Sequence, residues 1–218
     1  MPFPGTFPTA HFASSALGLA VAASSTSLAQ TITAPNGIQA GDLLVLTQYA
    51  ATAGGPAPTA VTPTGFTNIS SAADNGNQAR GMIDYKIATG SEGGASITGM
   101  NGSTDNAKVL VVYRKTPPIV AVTPTDIATE HTTGNPVSQT ANASGGAAPL
   151  VVIAAFASNG FVDPRTFSPA ADGSVVSSNG VEIWQAWKIY NAEPADVTVD
   201  MDDEGAFNYL ASCYLACA

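Results

Sequence analysis

Two histidines, two cysteines and one acidic cluster are the groups in this chain whose type and spacing most invite a chemical reading. His11 stands in MPFPGTFPTAHF and His131 in TEHTTGN. Acyl transfer needs a nucleophile, a base and a group that orients the base. Serines are plentiful, but there is no G-x-S-x-G elbow, and a histidine becomes catalytic only when a partner is placed for it. Both histidines read as surface residues. Cys213 and Cys217 lie four residues apart near the C-terminus. On a strand they share a face roughly 13 Å apart, at about 3.3 Å per residue, too far for a disulfide. With no histidine nearby they do not make a zinc site, and they read as small apolar core residues.

The acidic cluster is DMDDEG, Asp200 to Gly205. Several carboxylates together suit calcium. The stretch lacks the ligand spacing of a known calcium loop, and its counterpart earlier in the chain, GMNGSTDN, carries a single acid. A solvated hairpin tip is the better reading. Asp84, Asp163 and Arg165 read as ordinary loop chemistry, and no dinucleotide or phosphate loop is present. The sequence therefore assigns no catalytic, cofactor-binding or metal-binding residue and predicts a protein that is not an enzyme.

Composition narrows the partners. Among 218 residues there are only seven Lys and Arg, and the formal net charge is −9. Nucleic-acid binding rests on basic side chains that neutralise phosphates, and anionic membranes attract basic segments for the same reason. Neither is an expected partner. Charged residues make up 11% of the chain, against roughly 25% in an average soluble protein. Gly, Ala, Ser and Thr fill the gap, which suits short strands and turns better than helices with charged wet faces.

The elements follow from the apolar pattern. DLLVLTQY and PLVVIAAF are short continuous apolar runs, as expected of strands buried on both faces. VEIWQAWKIY alternates, with aromatic residues on both sides, so one side is expected to meet an opposing sheet and the other a neighbour. APNG, TPTG, DNGN, SEGG, MNGS, SSNG and DDEG separate the runs as turns. ALGLAVAA, Ala16 to Ala23, resembles the apolar core of a secretory leader. No basic residue precedes it, as a leader would require, and it is too short to span a bilayer; it reads as a strand.

The chain also repeats itself. YKI at Tyr85 returns as WKI at Trp187, and GDLLVLTQYAA returns as APLVVIAAFAS, which matches Leu43 with Leu150 and Tyr49 with Phe156. PTGF, ASITGM and NAKVLVVYR find partners in PRTF, DVTVDM and FNYLASCYL, with Tyr113 over Tyr214. The order is kept and length changes fall between the blocks, where loops absorb them. The prediction is an all-β chain of two tandem antiparallel β-sandwich (jelly-roll-like) units from an internal duplication. Residues 1–12 form an extended, proline-rich arm, residues 13–116 the first unit and residues 117–218 the second, with the boundary at KTPPI, where Pro117 and Pro118 interrupt any ladder.

The order AGDLLVL, TGF, YKIA, VVYR resembles small structural proteins common in genomes of tailed bacteriophages and prophages. The match covers Gly41 to Arg114; the second unit keeps Trp187, Lys188 and Tyr214 but has Pro149 for the aspartate and Leu215 for the arginine. The resemblance implies a non-enzymatic virion component, foremost a decoration or cement protein on the outer surface of the head. Its partners would be the major capsid protein or other virion proteins, with homo-oligomers on the particle assembled in the host cytoplasm. A tail-fibre or spike module that binds a receptor glycan is the rival, and it predicts exposed aromatic residues, such as Trp184 or Tyr190, over a shallow groove. A secreted adhesin or surface-layer piece is a further rival.

Overall fold

A computed structural model of the chain describes residues 18–52, 54–73, 78–102, 105–132, 137–141, 149–158, 165–178, 181–192, 195–201 and 208–218. All of the regular structure among them is β-strand. The first half contributes β1 (Ala20–Ser27), β2 (Thr31–Thr33), β3 (Leu43–Ala51), β4 (Thr67–Ala73), β5 (Ala79–Ile87), β6 (Ser96–Thr98) and β7 (Asp105–Arg114). The second contributes β8 (Val122–Thr132), β9 (Val137–Ala141), β10 (Leu150–Ser158), β11 (Arg165–Ser168), β12 (Gly173–Ser178), β13 (Glu182–Tyr190), β14 (Val197–Met201) and β15 (Asn208–Cys217). The stretch ALGLAVAA enters β1 at Ala20, and Leu19 just before it is already core.

The two halves have the same architecture. The large sheet of the first half runs β1-β7-β3-β5-β4 and that of the second β8-β15-β10-β13-β12, all antiparallel. A small sheet covers the outer face of each: β2-β6 in the first half, β9-β14-β11 in the second. Ile32 and Ile97 of the first small sheet pack on Leu44, Leu46, Leu110 and Val112. Val197 and Val199 of the second pack on Val152, Ala154, Phe156 and Leu210. Each half is thus a β-sandwich.

Residue by residue, the ladders shift the equivalences that matching letters suggest. Val45 lies beside Tyr85 and Val111, and Ile153 beside Trp187 and Cys213, all six on the same inner layer. With Tyr85 set over Trp187, Val45 corresponds to Ile153 (153 − 45 = 108) and Val111 to Cys213 (213 − 111 = 102). Matching Leu43 with Leu150 puts an inner residue over an outer one, and Tyr113 with Tyr214 does the same. A one-residue slip exchanges the faces of a strand. Continuous apolar runs carry no period to reveal it.

The inner faces of the two large sheets pack on each other. One apolar cluster takes Leu43, Val45, Tyr49, Ile83, Val109, Val111 and Tyr113 from the first half and Val151, Ile153, Ile183, Trp187, Tyr209 and Cys213 from the second. The molecule is therefore four layers deep, and its largest core lies between the halves. Tyr113 and Trp187 meet edge to face with centroids 6.1 Å apart, a geometry the ring quadrupoles favour. Thr47 donates to Gln185 Oε1 at 3.3 Å, and Gln185 Nε2 donates to the Tyr113 hydroxyl at 3.3 Å. The contacts are reciprocal: β4 touches β8 while β12 touches β1, and β7 touches β13 while β15 touches β5. Exchange of equivalent partners is the mark of an isologous, two-fold interface.

Gly81 on β5 shows how close this packing is. A Cβ there would lie 2.2 Å from the Tyr209 ring of the other half. Two consequences are testable by denaturant titration. Because the halves share one core, both should unfold in a single transition, coincident by tryptophan fluorescence and by far-UV circular dichroism; two separated transitions would contradict the shared core. Gly81→Ala should lower the midpoint of that transition by an overpacking cost of about 1–3 kcal/mol, and Trp187→Ala by about 3–5 kcal/mol.

Candidate functional site

Gly41, Asp42, Lys86 and Arg114 lie towards one end of the first sandwich. Gly41 has φ +83° and donates its N–H to the Ala88 carbonyl. A Cβ at Gly41 would lie 2.4 Å from Pro118 Cβ, so glycine is required on both counts. Its carbonyl accepts from the Ile119 N–H, which fastens the connection between the halves. Asp42 next to it is buried and accepts from Arg114 Nε at 2.8 Å and Nη2 at 2.6 Å, a bidentate pair. Asp42 also caps the Gln39 N–H, while Arg114 Nη2 reaches the Gly37 carbonyl. The hydrogen bonds it donates to Asp42 hold the Arg114 guanidinium pKa above its usual value. In the second half the equivalent pair is Leu150 and Ala216, which face each other across the ladder; the clamp belongs to the first half alone.

Lys86 of the pattern pairs with Glu92 at 2.9 Å. Burial opposes the Glu92 charge, but hydrogen bonds from Lys86 and from the Thr89 N–H and hydroxyl outweigh it and hold the carboxyl at about 2. Lys188, at the equivalent place in the second half, instead meets Asp172 at 2.7 Å. Six of the seven basic side chains bond within the chain. Besides these pairs, Arg80 donates to the Pro58 carbonyl, Lys108 to two carbonyls and Lys115 to the Cys217 carbonyl.

A buried polar network crosses the outer face of the first large sheet. Asp84, read from sequence as loop chemistry, is instead a fully buried residue of β5. It accepts from Gln48 Nε2 at 2.7 Å, Asn68 Nδ2 at 2.9 Å and the Thr62 hydroxyl at 3.1 Å. Burial raises its pKa despite these bonds. Gln48 also reaches the Val61 carbonyl and accepts from the Met100 N–H. Lys108, opposite Gln48, is fully buried and donates to the carbonyls of Ala29 and Met100, each at 2.8 Å; burial pulls its ammonium down to about 8. The equivalents in the second half are Phe156, Ala186 and Leu210, all apolar.

The reason lies in what covers the sheet. In the second half β11 pairs with β14 by a backbone ladder. In the first half residues 56–63 cross the same layer without strand structure, and side chains supply hydrogen bonds that a ladder would make. Among the described residues β6 pairs with β2 and with no second strand. A cleft of about 250 Å³ opens there, lined by Pro63, Thr64, Phe66, Lys86, Glu92 and the stretch Ala95–Thr98. A second cleft of about 260 Å³ lies where the halves meet, with Leu19, Val21, Trp187 and Ile189 on its apolar side and Asp172 and Asn191 on its polar side.

The residues singled out from sequence fall in different places. His11, Asp163 and residues 202–207 of the acidic stretch lie outside the described residues, and His131 sits on β8 and Arg165 on β11. Asp200 accepts from the Thr166 hydroxyl on the neighbouring strand at 2.8 Å. Among the described residues no three His, Cys, Asp or Glu converge as metal ligands. Cys213 and Cys217 are free thiols buried in the shared core, which pushes both up to about 12. Trp184 packs against Phe156 at 4.9 Å, and Trp184 and Tyr190 both lie against the outer core of the second half; neither lines the two clefts above. Comparison with known protein families, with curated proteins and with solved structures returns no match.

Two substitutions test this electrostatic arrangement. Asp84→Ala removes the shared acceptor of Gln48, Asn68 and Thr62 and should destabilise the protein by about 3 kcal/mol, whereas Ser71→Ala on the exposed part of β4 should change little. The Glu92 carboxyl lies below its unfolded value of 4.5, so its contribution is present above that pH and disappears as pH falls from 4.5 towards about 2. Glu92→Gln should flatten the stability profile over that window and leave the profile above pH 6 parallel to that of the unaltered protein.

Proposed function

We propose that this protein is a non-enzymatic structural component of a tailed-bacteriophage virion, foremost a decoration or cement protein bound to the outer surface of the head. The reading rests on the resemblance of the pattern from Gly41 to Arg114 to that class of protein, and the observation that supports it is what those residues do in this fold. Gly41, Asp42, Gly65, Phe66, Lys86, Tyr113 and Arg114 bend, pin or fill the first sandwich. A pattern made of scaffold residues is what a fold used for its shape would carry, and it supports the structural reading.

Surface charge supports the same class of partner. The chain carries a net charge of −9, and most of its few cations are already engaged within it. A neutral or basic protein surface complements it, and a phosphate backbone does not. The expected partner is the major capsid protein or another virion protein, with several copies of this chain bound around each symmetry axis, where modest contacts add through multivalency. Trp184 and Tyr190 are half-buried against the outer core of the second half and line neither of the two clefts, which favours decoration over a glycan-binding tail module.

Immunogold electron microscopy of particles from the source culture tests the proposal. Even labelling over the heads is the expected result. Label confined to the tail tip would replace decoration with receptor binding, and absence of label from every particle would overturn the virion reading.

A further inference from the structure

Three groups of the buried polar network on the first large sheet are arranged to form a covalent bond. Gln48 on β3 and Lys108 on β7 are direct partners in the antiparallel ladder, which sets their Cβ atoms about 5 Å apart on one face. Both side chains turn to the same residue: Gln48 Oε1 accepts from the Met100 N–H at 2.9 Å, and Lys108 Nζ donates to the Met100 carbonyl at 2.8 Å. Their ends are close to each other as well. A Cβ built on Gly99 would lie 2.9 Å from Gln48 Cδ and 2.9 Å from Lys108 Cε, so those two atoms are at most 2.9 + 2.9 = 5.8 Å apart. The other side of the Gln48 amide belongs to Asp84, whose Oδ2 accepts from Nε2 at 2.7 Å. All three residues are fully buried.

Each group is held as amide exchange requires. A nucleophilic lysine must be a neutral amine. Burial pulls Lys108 down to about 8, and the carbonyls of Ala29 and Met100 accept as many hydrogens as a neutral amine carries, so its lone pair points to neither. The Met100 N–H polarises the Gln48 carbonyl, a donor placed where negative charge would develop. Burial raises the pKa of Asp84, which favours a proton beside the nitrogen that must leave. Amines and carboxamides react slowly in water, but groups fixed as neighbours gain the advantage of an intramolecular reaction. The second half has Phe156, Leu210 and Ala186 at these three places, beneath a paired outer sheet, and nothing there could react.

We propose that Lys108 and Gln48 join in an intramolecular isopeptide bond, a covalent strut between β3 and β7, with Asp84 as the acid that releases the amide nitrogen. Rotation about the lysine torsions brings Nζ to Gln48 Cδ, where its electron pair forms the new C–N bond. The tetrahedral carbon then expels Nε2. That bond breaks as Asp84 gives Nε2 a proton, and a proton from Nζ restores the Asp84 carboxyl. The products are a secondary amide and ammonia, so no oxidant, reductant or cofactor is needed. The reaction also removes a buried cation, whose desolvation is costly. It is independent of the virion assignment, because every group lies within the first half of one chain.

Intact-mass spectrometry of the purified full chain, denatured after incubation at mildly alkaline pH, tests it. The mass should fall about 17 Da below that of the sequence, the loss of one ammonia. Trypsin should then yield the peptide that ends at Arg80 joined to the peptide that ends at Arg114, uncut at Lys108. Lys108→Gln and Asp84→Asn should each keep the full mass while far-UV circular dichroism shows them folded. A wild-type chain of full mass, cleaved by trypsin at Lys108, would overturn the bond whatever the variants do. A loss of ammonia that persists in Lys108→Gln would overturn it too, assigning the loss to ring closure at an Asn-Gly step such as Asn36-Gly37 or Asn101-Gly102. A joined peptide pair in folded Asp84→Asn would overturn the role given to Asp84.

Discussion

Apolar contact between the inner faces of the two large sheets is the constraint on which the rest of this molecule depends. Neither five-stranded sheet can leave that face in water, since it carries Val45, Tyr49, Val111 and Tyr113 on one side and Ile153, Trp187 and Tyr209 on the other. Once the sheets meet, each central strand is covered twice, and every residue of β3 and β10 is buried. That double burial explains the continuous apolar runs. It also explains why polar side chains inside are so few and so fully bonded. Thr47, Gln185 and Tyr113 form a connected set across the interface and bond to one another. An apolar layer alone would tolerate sliding; directional bonds and an edge-to-face ring pair set the register.

The outer layers show two solutions to one problem. A segment lying on a sheet must have its peptide groups satisfied. The second half does this with a ladder between β11 and β14, and the sheet beneath can remain apolar at Phe156, Ala186 and Leu210. The first half lays an irregular connection over the same positions, and Gln48, Asp84 and Lys108 beneath it supply the hydrogen bonds. Burying these groups carries an electrostatic cost, visible in the raised carboxyl and the depressed ammonium. Gly99 belongs to the same bargain, because a Cβ there would collide with the Gln48 amide.

Much of this fold was legible in the sequence, and the failures have physical causes. Strand content, repetition of a sandwich unit and the core placement of both cysteines follow from apolar patterning. The exchange of faces in VEIWQAWKIY was also visible, because Trp187 and Trp184 stand on opposite sides of a strand that alternates. In β3 and β10, by contrast, both faces are apolar, so matching Leu43 with Leu150 looked sound while being one residue out of phase. Asp84 misled for another reason. A carboxylate is expected at the surface, and the donors to it, Gln48, Thr62 and Asn68, lie 36, 22 and 16 positions before it in the sequence. Nothing local marks it. Packing of the two halves through their large sheets was likewise invisible, since a sandwich unit and half of a four-layer stack share one strand pattern.

The segment that runs past Lys115 to Ala121 has a consequence of its own. Two identical subunits meeting across a two-fold axis must carry any substitution twice, once on each outer surface. Here the equivalent surfaces are written by different stretches of one gene, and they have diverged: a carboxylate–amide–ammonium set lies under one and an aromatic–aliphatic set under the other. The symmetric contact survives inside while the exterior has lost its mirror-like indifference. The molecule has distinguishable outer layers, an irregular connection over a buried polar set on one side and a three-stranded sheet over a buried apolar set on the other, a difference that a homodimer of the same shape cannot have.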